Sequence, residues 1–313
     1  MRTMNLMRGG SAALLMTLVA LVAGAAEPPA APLYGGEIPN SIQAADEESL
    51  RDPNDAWPFY QNISRPTIAV YKPAQQDPNR AAVIIFPGGG YRGVSILKEG
   101  YNVARAFNEM GVTAFVVKYR TPSDRHMKDK RTGPLQDAQQ AIASVRRDAA
   151  KYQIDPKRIG VIGFSAGGHL AATAGTQFNS PVLSQWRAAD VRPDFLMLIY
   201  PVITFVDPAV HAGSRKMLLG ESPSQADVQR FSAQLAVTDQ TPPTFLIHAA
   251  DDETVPVANS IRFFEALQAR KIPAQLMIYP AGGHGYGLNN ATTGDRWIER
   301  CRQWLQSQGW ISK

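Results

Sequence analysis

The sequence has little cysteine and little histidine, and this narrows the chemistry open to it. Its 313 residues include one cysteine, Cys301, so no internal disulfide can form. Cys301 lies in a segment with helical spacing, where a small buried apolar residue is expected. None of the five histidines combines with Cys, Asp or Glu at a spacing typical of a metal site. The sequence therefore predicts neither a metal centre nor a cofactor.

The sequence also lacks a large excess of either positive or negative charge. The chain has 32 Lys and Arg against 27 Asp and Glu, a net charge of +5. Two of the basic residues, Arg2 and Arg8, lie in the first 25 residues, which contain no acid. The remaining chain then carries 30 basic and 27 acidic residues, a net charge of +3. So small and scattered an excess does not favour a nucleic-acid partner.

The apolar run near the N-terminus is short for a membrane span. Arg2 and Arg8 precede this run, "SAALLMTLVALVAGAA", and Ala23-Gly24-Ala25 fits a small-x-small cleavage site. The pattern predicts a signal peptide at residues 1–25 and an exported protein, periplasmic or extracellular. No cysteine follows the run for lipid attachment, so no stable membrane insertion is expected after cleavage. A retained anchor is the alternative interpretation.

The rest of the chain divides into a short leader and one domain. Residues 26–60 are rich in Pro, Ala and Asp and are interpreted as an N-terminal arm or linker. In residues 61–313, apolar strand-like runs alternate with helical patterns, which predicts an α/β domain with a mostly parallel central sheet and helices on both faces. The polar stretch 202–241, with its own helix near 224–235, falls between two strands and is a possible cap insertion over the site.

The stretch "VIGFSAGGH", Val161 to His169, contains a G-x-S-x-G motif after a predicted strand and before a predicted helix. In a strand–turn–helix of this kind, Ser165 adopts a strained conformation with its hydroxyl projecting. Gly163 and Gly167 would allow the strand and helix to cross closely. The alternative is a tight turn in which the serine caps the helix.

A serine needs a base to act as a nucleophile, and His284 is the best candidate. It lies on the glycine-flanked loop "YPAGGHGYGL" after the last predicted strand. His169 and His248 are expected to be packed in the structure. His126 and His211 lie in loop segments, where a solvated surface position is favoured over contact with substrate.

The acid is expected at the end of an intermediate strand, where "LIHAADDETVP" offers Asp251, Asp252 and Glu253. The order serine, acid, histidine matches that of hydrolases with a nucleophile elbow. The loop "IIFPGGGYRG" follows an early strand and can supply backbone N–H groups for an oxyanion. A phosphate-binding loop is the rival interpretation, but no G-K-[ST] follows the glycines.

Together these motifs, over about residues 63–310, resemble those of α/β-hydrolase esterases of the acetyl esterase and carbohydrate (acetylxylan, feruloyl-esterase-like) esterase kind. The resemblance implies Ser165 as nucleophile, His284 as base and Asp252 as acid, since the run "HGxxDxxVP" of these enzymes places the acid four residues after its histidine. It also implies that the oxyanion is held by backbone N–H groups, those of Gly89, Gly90 and Ala166. Two departures are Pro87, where a histidine is usual, and Ala249, where a glycine is usual.

The resemblance and the export signal lead to one hypothesis for function. The chain is expected to be a secreted serine esterase that hydrolyses short-chain esters, acetyl above all, on a small-molecule or polysaccharide substrate such as xylan. Four residues near strand ends are candidates for substrate binding: Tyr91, Tyr119, Arg120 and Tyr286. A general carboxylesterase or a feruloyl esterase is the alternative, and an inactive carbohydrate-binding relative is an alternative from another class.

Overall fold

The computed structural model describes residues 27–313, so the predicted signal peptide lies outside the described residues. Within that range eleven strands are numbered here in chain order. They are β1 (Ala30–Pro32), β2 (Ser49–Leu50), β3 (Phe59–Gln61), β4 (Thr67–Tyr71), β5 (Ala82–Phe86), β6 (Gly93–Ser95), β7 (Thr113–Lys118), β8 (Ile159–Phe164), β9 (Leu196–Ile199), β10 (Thr244–Ala249) and β11 (Ala274–Tyr279). Eight of them form the central sheet, in the order β1-β4-β7-β5-β8-β9-β10-β11.

Helices connect the strands and cover both faces of the sheet. In chain order they are α1 (Asn102–Glu109), α2 (Gly133–Arg147), α3 (Ala149–Tyr152), α4 (Ser165–Thr176), α5 (Ala188–Val191), α6 (Ala212–Leu219), α7 (Gln225–Arg230), α8 (Ala258–Ala269) and α9 (Trp297–Ser307). A π-helical turn at Leu97–Tyr101 precedes α1, and a 3-10 turn at Ala233–Ala236 follows α7.

Six consecutive strands of the sheet, β7, β5, β8, β9, β10 and β11, are parallel to one another. Only β4 runs the other way, because it is antiparallel to both of its neighbours, β7 and β1. Every residue of β5, β8, β9 and β10 is buried, as expected for parallel strands covered on both faces. The predicted α/β-hydrolase architecture is confirmed. Because β5, β8, β10 and β11 are parallel, the loops that follow them meet at one edge of the sheet, where ligands bind in open α/β folds.

The segment that the sequence assigns to an arm or linker belongs to the fold. Strand β1 pairs with β4 at the edge of the central sheet. Strands β2 and β3 join β6 in a small three-stranded antiparallel sheet. These strands are two or three residues long, too short to show the period-2 pattern from which strands are predicted.

The stretch 202–241 lies between β9 and β10, as expected, but its helices differ from the predicted one. The structure places α6 at Ala212–Leu219 and α7 at Gln225–Arg230, and the chain from 231 to 235 only begins a 3-10 turn. Phe231 is buried, and its carbonyl accepts a hydrogen bond of 2.7 Å from Nε2 of His169 in α4. The stretch is therefore anchored to the helix that begins at the candidate nucleophile.

Arg120, a predicted substrate-binding residue, is instead part of the core. Its side chain is fully buried and pairs with Asp137 of α2 at 2.8 Å, while its backbone N–H donates to the same carboxylate at 2.8 Å. The hydroxyl of Tyr34 also donates to Asp137, at 2.9 Å. A buried guanidinium needs such a partner, so Arg120 serves to join β7, α2 and the N-terminal segment rather than to bind substrate.

We expect Asp137→Asn to lower the free energy of unfolding by about 3–5 kcal/mol, because it leaves the charge of Arg120 buried without a counter-ion. The matched control is Asp239→Asn, since Asp239 pairs with Arg270 at 3.4 Å on the surface and is 78% exposed. That change should cost less than about 1 kcal/mol. Urea unfolding of both variants checks the prediction, and equal small losses would contradict it.

Candidate active site

Ser165 lies at the sharp turn between β8 and α4. Its φ is +51°, in the left-handed region that residues with a side chain seldom adopt. A Cβ on Gly163 would lie 2.2 Å from the carbonyl oxygen of Gly167, and a Cβ on Gly167 would lie 2.1 Å from that of Phe86. The close crossing expected from the motif is therefore present, and it holds Ser165 at the carboxyl edge of the sheet.

The structure brings Ser165, His284 and Asp252 into one line of hydrogen bonds. Oγ of Ser165 is 2.8 Å from Nε2 of His284, and Nδ1 of His284 is 2.6 Å from Oδ2 of Asp252. The histidine lies on the loop after β11, and the aspartate lies on the loop after β10. Their arrangement is that of a nucleophile, a base and an acid that orients the base.

Asp252 is held as an anion by its donors. The backbone N–H groups of Thr254 and Val255 donate to Oδ1 at 3.0 and 2.8 Å. Burial alone would raise the pKa of this carboxyl, but hydrogen bonds from His248, from His284 and from the backbone outweigh burial and lower it. An ionised carboxylate at this position stabilises a positive charge on the His284 ring.

His248 contributes to the same carboxylate, although the sequence suggested only a core residue. Its ring is fully buried, with Nε2 at 3.2 Å from Oδ2 of Asp252 and 2.9 Å from the carbonyl oxygen of Val255. Its Nδ1 is 2.8 Å from Oγ of Ser260. Two oxygen acceptors at Nε2 assign the proton to that nitrogen, which leaves Nδ1 to accept from the serine hydroxyl. The motif spacing placed His248 four residues before the acid, and the contact explains that spacing.

Asp251, the neighbouring candidate, has a different contact. Its Oδ1 accepts a hydrogen bond of 2.8 Å from the backbone N–H of Gly283, beside His284. It therefore fixes the loop that carries the histidine, whereas Asp252 contacts the imidazole itself.

A second buried carboxyl, that of Glu99, links the two loops and was missed by sequence reasoning. Its Oε2 accepts from the N–H of Gly88 at 2.8 Å, and its Oε1 accepts from the hydroxyl of Tyr200 at 2.8 Å. Tyr200 in turn accepts from the N–H of Gly287 and packs its ring against that of His284, with ring centres 5.0 Å apart. Burial raises the pKa of Glu99 despite these donors. A lone glutamate in the helical pattern gave no signal for this role.

The glycine loop after β5 has the conformation that an oxyanion site requires. Gly89 has φ +148° and Gly90 has φ +63°, values that favour glycine. The N–H of Gly88 is taken by Glu99, whereas those of Gly89, Gly90 and Ala166 meet no acceptor within residues 27–313. Ala166 lies in the first turn of α4, where backbone N–H groups have no partner inside the helix. These three donors remain available to a ligand.

The three tyrosines predicted to bind substrate do not reach the cleft. Tyr91 is 1% exposed and shares a hydrogen bond of 2.8 Å with Nδ1 of His169. Tyr119 is fully buried and donates to the carbonyl oxygen of Pro87 at 2.7 Å. Tyr286 is 8% exposed and packs against Tyr200, with ring centres 4.6 Å apart. With Arg120, all four predicted contacts are corrected: the aromatic rings near the strand ends pack beneath the loops and support them.

A cleft of about 560 Å³ opens above Ser165 and His284. Its other walls come from the N-terminal segment, the glycine loop with β6 and the turn before α1, the 202–241 stretch, and the loops after β10 and β11. The other lining residues are Arg51, Asp55, Trp57, Phe59, Gln61, Gly89, Gly90, Arg92, Ser95, Lys98, Glu99, His211, Thr254 and Gly285. Most of these side chains are polar or charged. Sequence reasoning missed them, apart from Gly89, Gly90 and His211, because most come from segments without periodicity.

His211 lines this cleft rather than a solvated surface. Its Nδ1 accepts from the backbone N–H of Ser214 at 3.1 Å, so the neutral ring carries its proton on Nε2. Burial, with the positive charges of its neighbours, lowers the pKa of His211 and keeps the ring neutral near pH 7. The ring is thus a potential N–H donor to a bound ligand.

Two further properties apply to the described residues. Residues 27–313 contain no group of three or more His, Cys, Asp or Glu side chains arranged to hold a metal ion. No helix in that range is both long enough and apolar enough to cross a membrane.

Comparison with known proteins relates this site to described families. The sequence matches the model of the BD-FAE family over residues 68–267. The acetylxylan esterase of Xylanibacter ruminicola is 35% identical over 241 residues, 75% of this chain and 46% of that protein. Endo-1,4-beta-xylanase B of Butyrivibrio fibrisolvens is 36% identical over 216 residues, 68% of this chain and 34% of that protein. The chain thus spans between a third and a half of the length of these two relatives.

Among solved structures, an acetyl ester-xyloside bifunctional hydrolase from Caldicellulosiruptor lactoaceticus has a TM-score of 0.74 and 36% identity, covering 93% of this chain and all of that one. These matches confirm the resemblance to acetyl and carbohydrate esterases that the motifs indicated.

The crossing of β8 and α4 generates a stability prediction. Gly→Ala inside a helix normally stabilises it by up to about 1 kcal/mol. We expect Gly167→Ala to do the opposite and to destabilise by about 1–3 kcal/mol or more, because the new methyl group would meet the backbone of Phe86. Gly294→Ala is the control, since nothing lies within 4 Å of a Cβ at that position. Thermal unfolding compares the two, and a Gly167→Ala variant as stable as the wild type would contradict the close approach.

Proposed function

The chain belongs to the BD-FAE family, and on that premise we propose that it is an exported serine esterase that removes short acyl groups, acetyl above all, from a xylan-type polysaccharide. One observation carries the proposal. The hydroxyl of Ser165, the imidazole of His284 and the carboxylate of Asp252 are joined by hydrogen bonds of 2.8 and 2.6 Å. They lie beside three backbone N–H groups that have no acceptor within the described residues.

In the proposed reaction Oγ of Ser165 attacks the ester carbonyl while Nε2 of His284 takes its proton. Asp252 accepts the N–H on the other ring nitrogen and stabilises the charged imidazole. The carbonyl oxygen becomes an oxyanion and receives hydrogen bonds from the N–H groups of the oxyanion site, Gly89, Gly90 and Ala166. His284 then gives its proton to the departing sugar hydroxyl, which leaves an acyl group on Ser165. Water, deprotonated by the same histidine, releases the acid and restores the serine.

The nature of the cleft supports a small acyl group and a polar alcohol. Most of the side chains that line the cleft are polar or charged, with Trp57 and Phe59 as the two aromatic ones, and such a lining favours a small acyl group over a long apolar chain. The names of the acetylxylan esterase and of the acetyl ester-xyloside hydrolase suggest xylan as the polymer. Export fits such a substrate, because a polysaccharide is too large to enter a cell intact.

We expect the wild-type protein to release acetate from acetylated xylan and the Ser165→Ala variant to release none above background, while it keeps the wild-type unfolding curve.

On nitrophenyl esters, kcat/KM should fall from acetate to butyrate by about tenfold or more, since each methylene that the site accommodates poorly costs about 1–3 kcal/mol. A series that peaks at octanoate, or a Ser165→Ala variant with normal turnover, would refute the proposal.

The two neighbouring aspartates supply a matched pair of variants. Asp252→Asn should lower kcat by a factor on the order of 10⁴, because an amide no longer stabilises the charged imidazole and favours the wrong tautomer. Asp251→Asn should lower it by less than about tenfold, since the amide oxygen can still accept from the N–H of Gly283. Steady-state kinetics on nitrophenyl acetate distinguishes the two, and the reverse order would assign the acid to Asp251.

A further inference from the structure

The N-terminal segment presents an aromatic ring to the cleft. Trp57, between β2 and β3, is 47% exposed and lines the same cleft as Ser165. Its position is fixed, because its backbone N–H donates to Oδ1 of Asp55 at 2.9 Å and Nζ of Lys98 lies 5.6 Å from the ring centre. An exposed indole beside a nucleophile offers a flat apolar face of the kind on which the C–H face of a sugar ring can lie.

Two cations without a salt-bridge partner among the described residues line the same cleft as this ring. Arg51 is paired with Asp55 at 3.0 Å, but no acidic side chain within residues 27–313 forms a salt bridge with Arg92 or Lys98. Arg92 lies on the side of the cleft where His211 is, since a Cβ on Gly213 would lie 3.2 Å from Cε1 of His211 and 3.4 Å from Nη2 of Arg92. Within residues 27–313, Arg92 and Lys98 are therefore cations of the cleft that no acidic side chain pairs with.

The acidic groups that face the cleft do not neutralise these cations. Glu99 is buried and its two oxygens accept from Gly88 and Tyr200, while Asp55 is paired with Arg51. The carboxylate of Asp252 is directed to His284 and His248. A ligand can therefore supply the negative charge that Arg92 and Lys98 lack as a partner. A carboxylate is a group that Arg and Lys bind well.

We propose that this wall, formed by Trp57, Arg92 and Lys98, is a subsite for an acidic sugar, in which a uronic acid substituent of the polysaccharide lies on the indole and its carboxylate is held by the two cations. The inference rests on the proposed esterase function and narrows its substrate to acetylated polysaccharide that carries uronic acid near the acetyl group. The subsite orients the alcohol part of the ester, while Ser165 and His284 act on the acyl part.

The test uses two matched oligosaccharides. One is an acetylated xylo-oligosaccharide that carries a glucuronic acid branch, and the other is the same compound with the carboxyl group reduced to an alcohol. The wild-type protein should show a kcat/KM about tenfold or more higher on the acidic compound, as expected for a charge-assisted contact. The preference should shrink in about 1 M salt, where the screening length falls to about 3 Å.

Variants of Trp57, Arg92 and Lys98 then test whether this wall causes the preference for the acidic oligosaccharide. The double change Arg92→Gln with Lys98→Gln should bring the acidic-to-neutral ratio close to one. Trp57→Ala should raise KM for both oligosaccharides about tenfold, and Trp57→Phe should restore part of the loss. The control is Lys157→Gln, which removes a charge before β8, at the opposite end of the sheet from Ser165. It should leave the kinetics on both compounds unchanged.

Binding to the Ser165→Ala variant separates this inference from the proposed function. Calorimetric titration with the acidic oligosaccharide should show tighter binding than with the reduced one, and the further changes Arg92→Gln and Lys98→Gln should abolish the difference. If wild-type protein hydrolyses no acetyl ester but this difference persists, the esterase proposal fails and the subsite stands. If both compounds bind and react equally, or if the double change leaves the ratio intact, the acidic-sugar subsite is wrong.

Discussion

The close crossing of β8 and α4 is the constraint on which the rest of the site depends. With Gly163 and Gly167 in contact, Ser165 has no room for an ordinary conformation, and its φ of +51° follows. The same crossing places α4 against the end of β5, so the glycine loop begins beside the nucleophile. A Cβ on Gly88 would lie 2.9 Å from that of Ser165. One packing contact thus sets both the position of the hydroxyl and its distance from the donors that would face an oxyanion.

The two buried carboxyl groups near His284 show how donors decide charge. Burial on its own acts to raise the pKa of both Asp252 and Glu99. Asp252 accepts from two backbone N–H groups and from two histidines, and these outweigh burial. Glu99 accepts from one backbone N–H and one tyrosine hydroxyl, and these do not. The pKa of Asp252 is therefore lowered and that of Glu99 is raised, although both carboxyl groups are buried. Glu99 joins the glycine loop to Tyr200 through these two hydrogen bonds.

The sequence predicted correctly those features of the structure in which a short run of residues is required by the local backbone geometry. The G-x-S-x-G motif follows from the crossing of two backbones, and the glycines around His284 follow from a loop that must turn sharply, so both can be recognised from a few residues. The substrate residues were wrong because a tyrosine or arginine at a strand end has the same local pattern whether it faces solvent or the core. Arg120 faces the core because it pairs with Asp137, and Tyr119 does so because its hydroxyl donates to the carbonyl oxygen of Pro87. Glu99 was missed for the same reason, since it contacts Tyr200, a residue distant in the chain. The contact of His248 with Asp252, four residues on, was missed because it depends on how the loop after β10 turns back.

The N-terminal segment was hardest to predict, yet it packs directly against the glycine loop of the site. Its strand β3 pairs with β6, which starts three residues after the glycine loop, so that Gln61 lies opposite Gly93 and Phe59 opposite Ser95. A Cβ on Gly89 would lie 2.1 Å from the carbonyl oxygen of Gly93 and 3.0 Å from the ring of Phe59. The glycine loop therefore rests directly on the small sheet that also carries Trp57. Because interiors packed this closely do not deform freely, a shift of the small sheet would also move the glycine loop. The part of the chain with the least sequence signal thus supports the loop whose N–H groups would face the oxyanion in the proposed reaction.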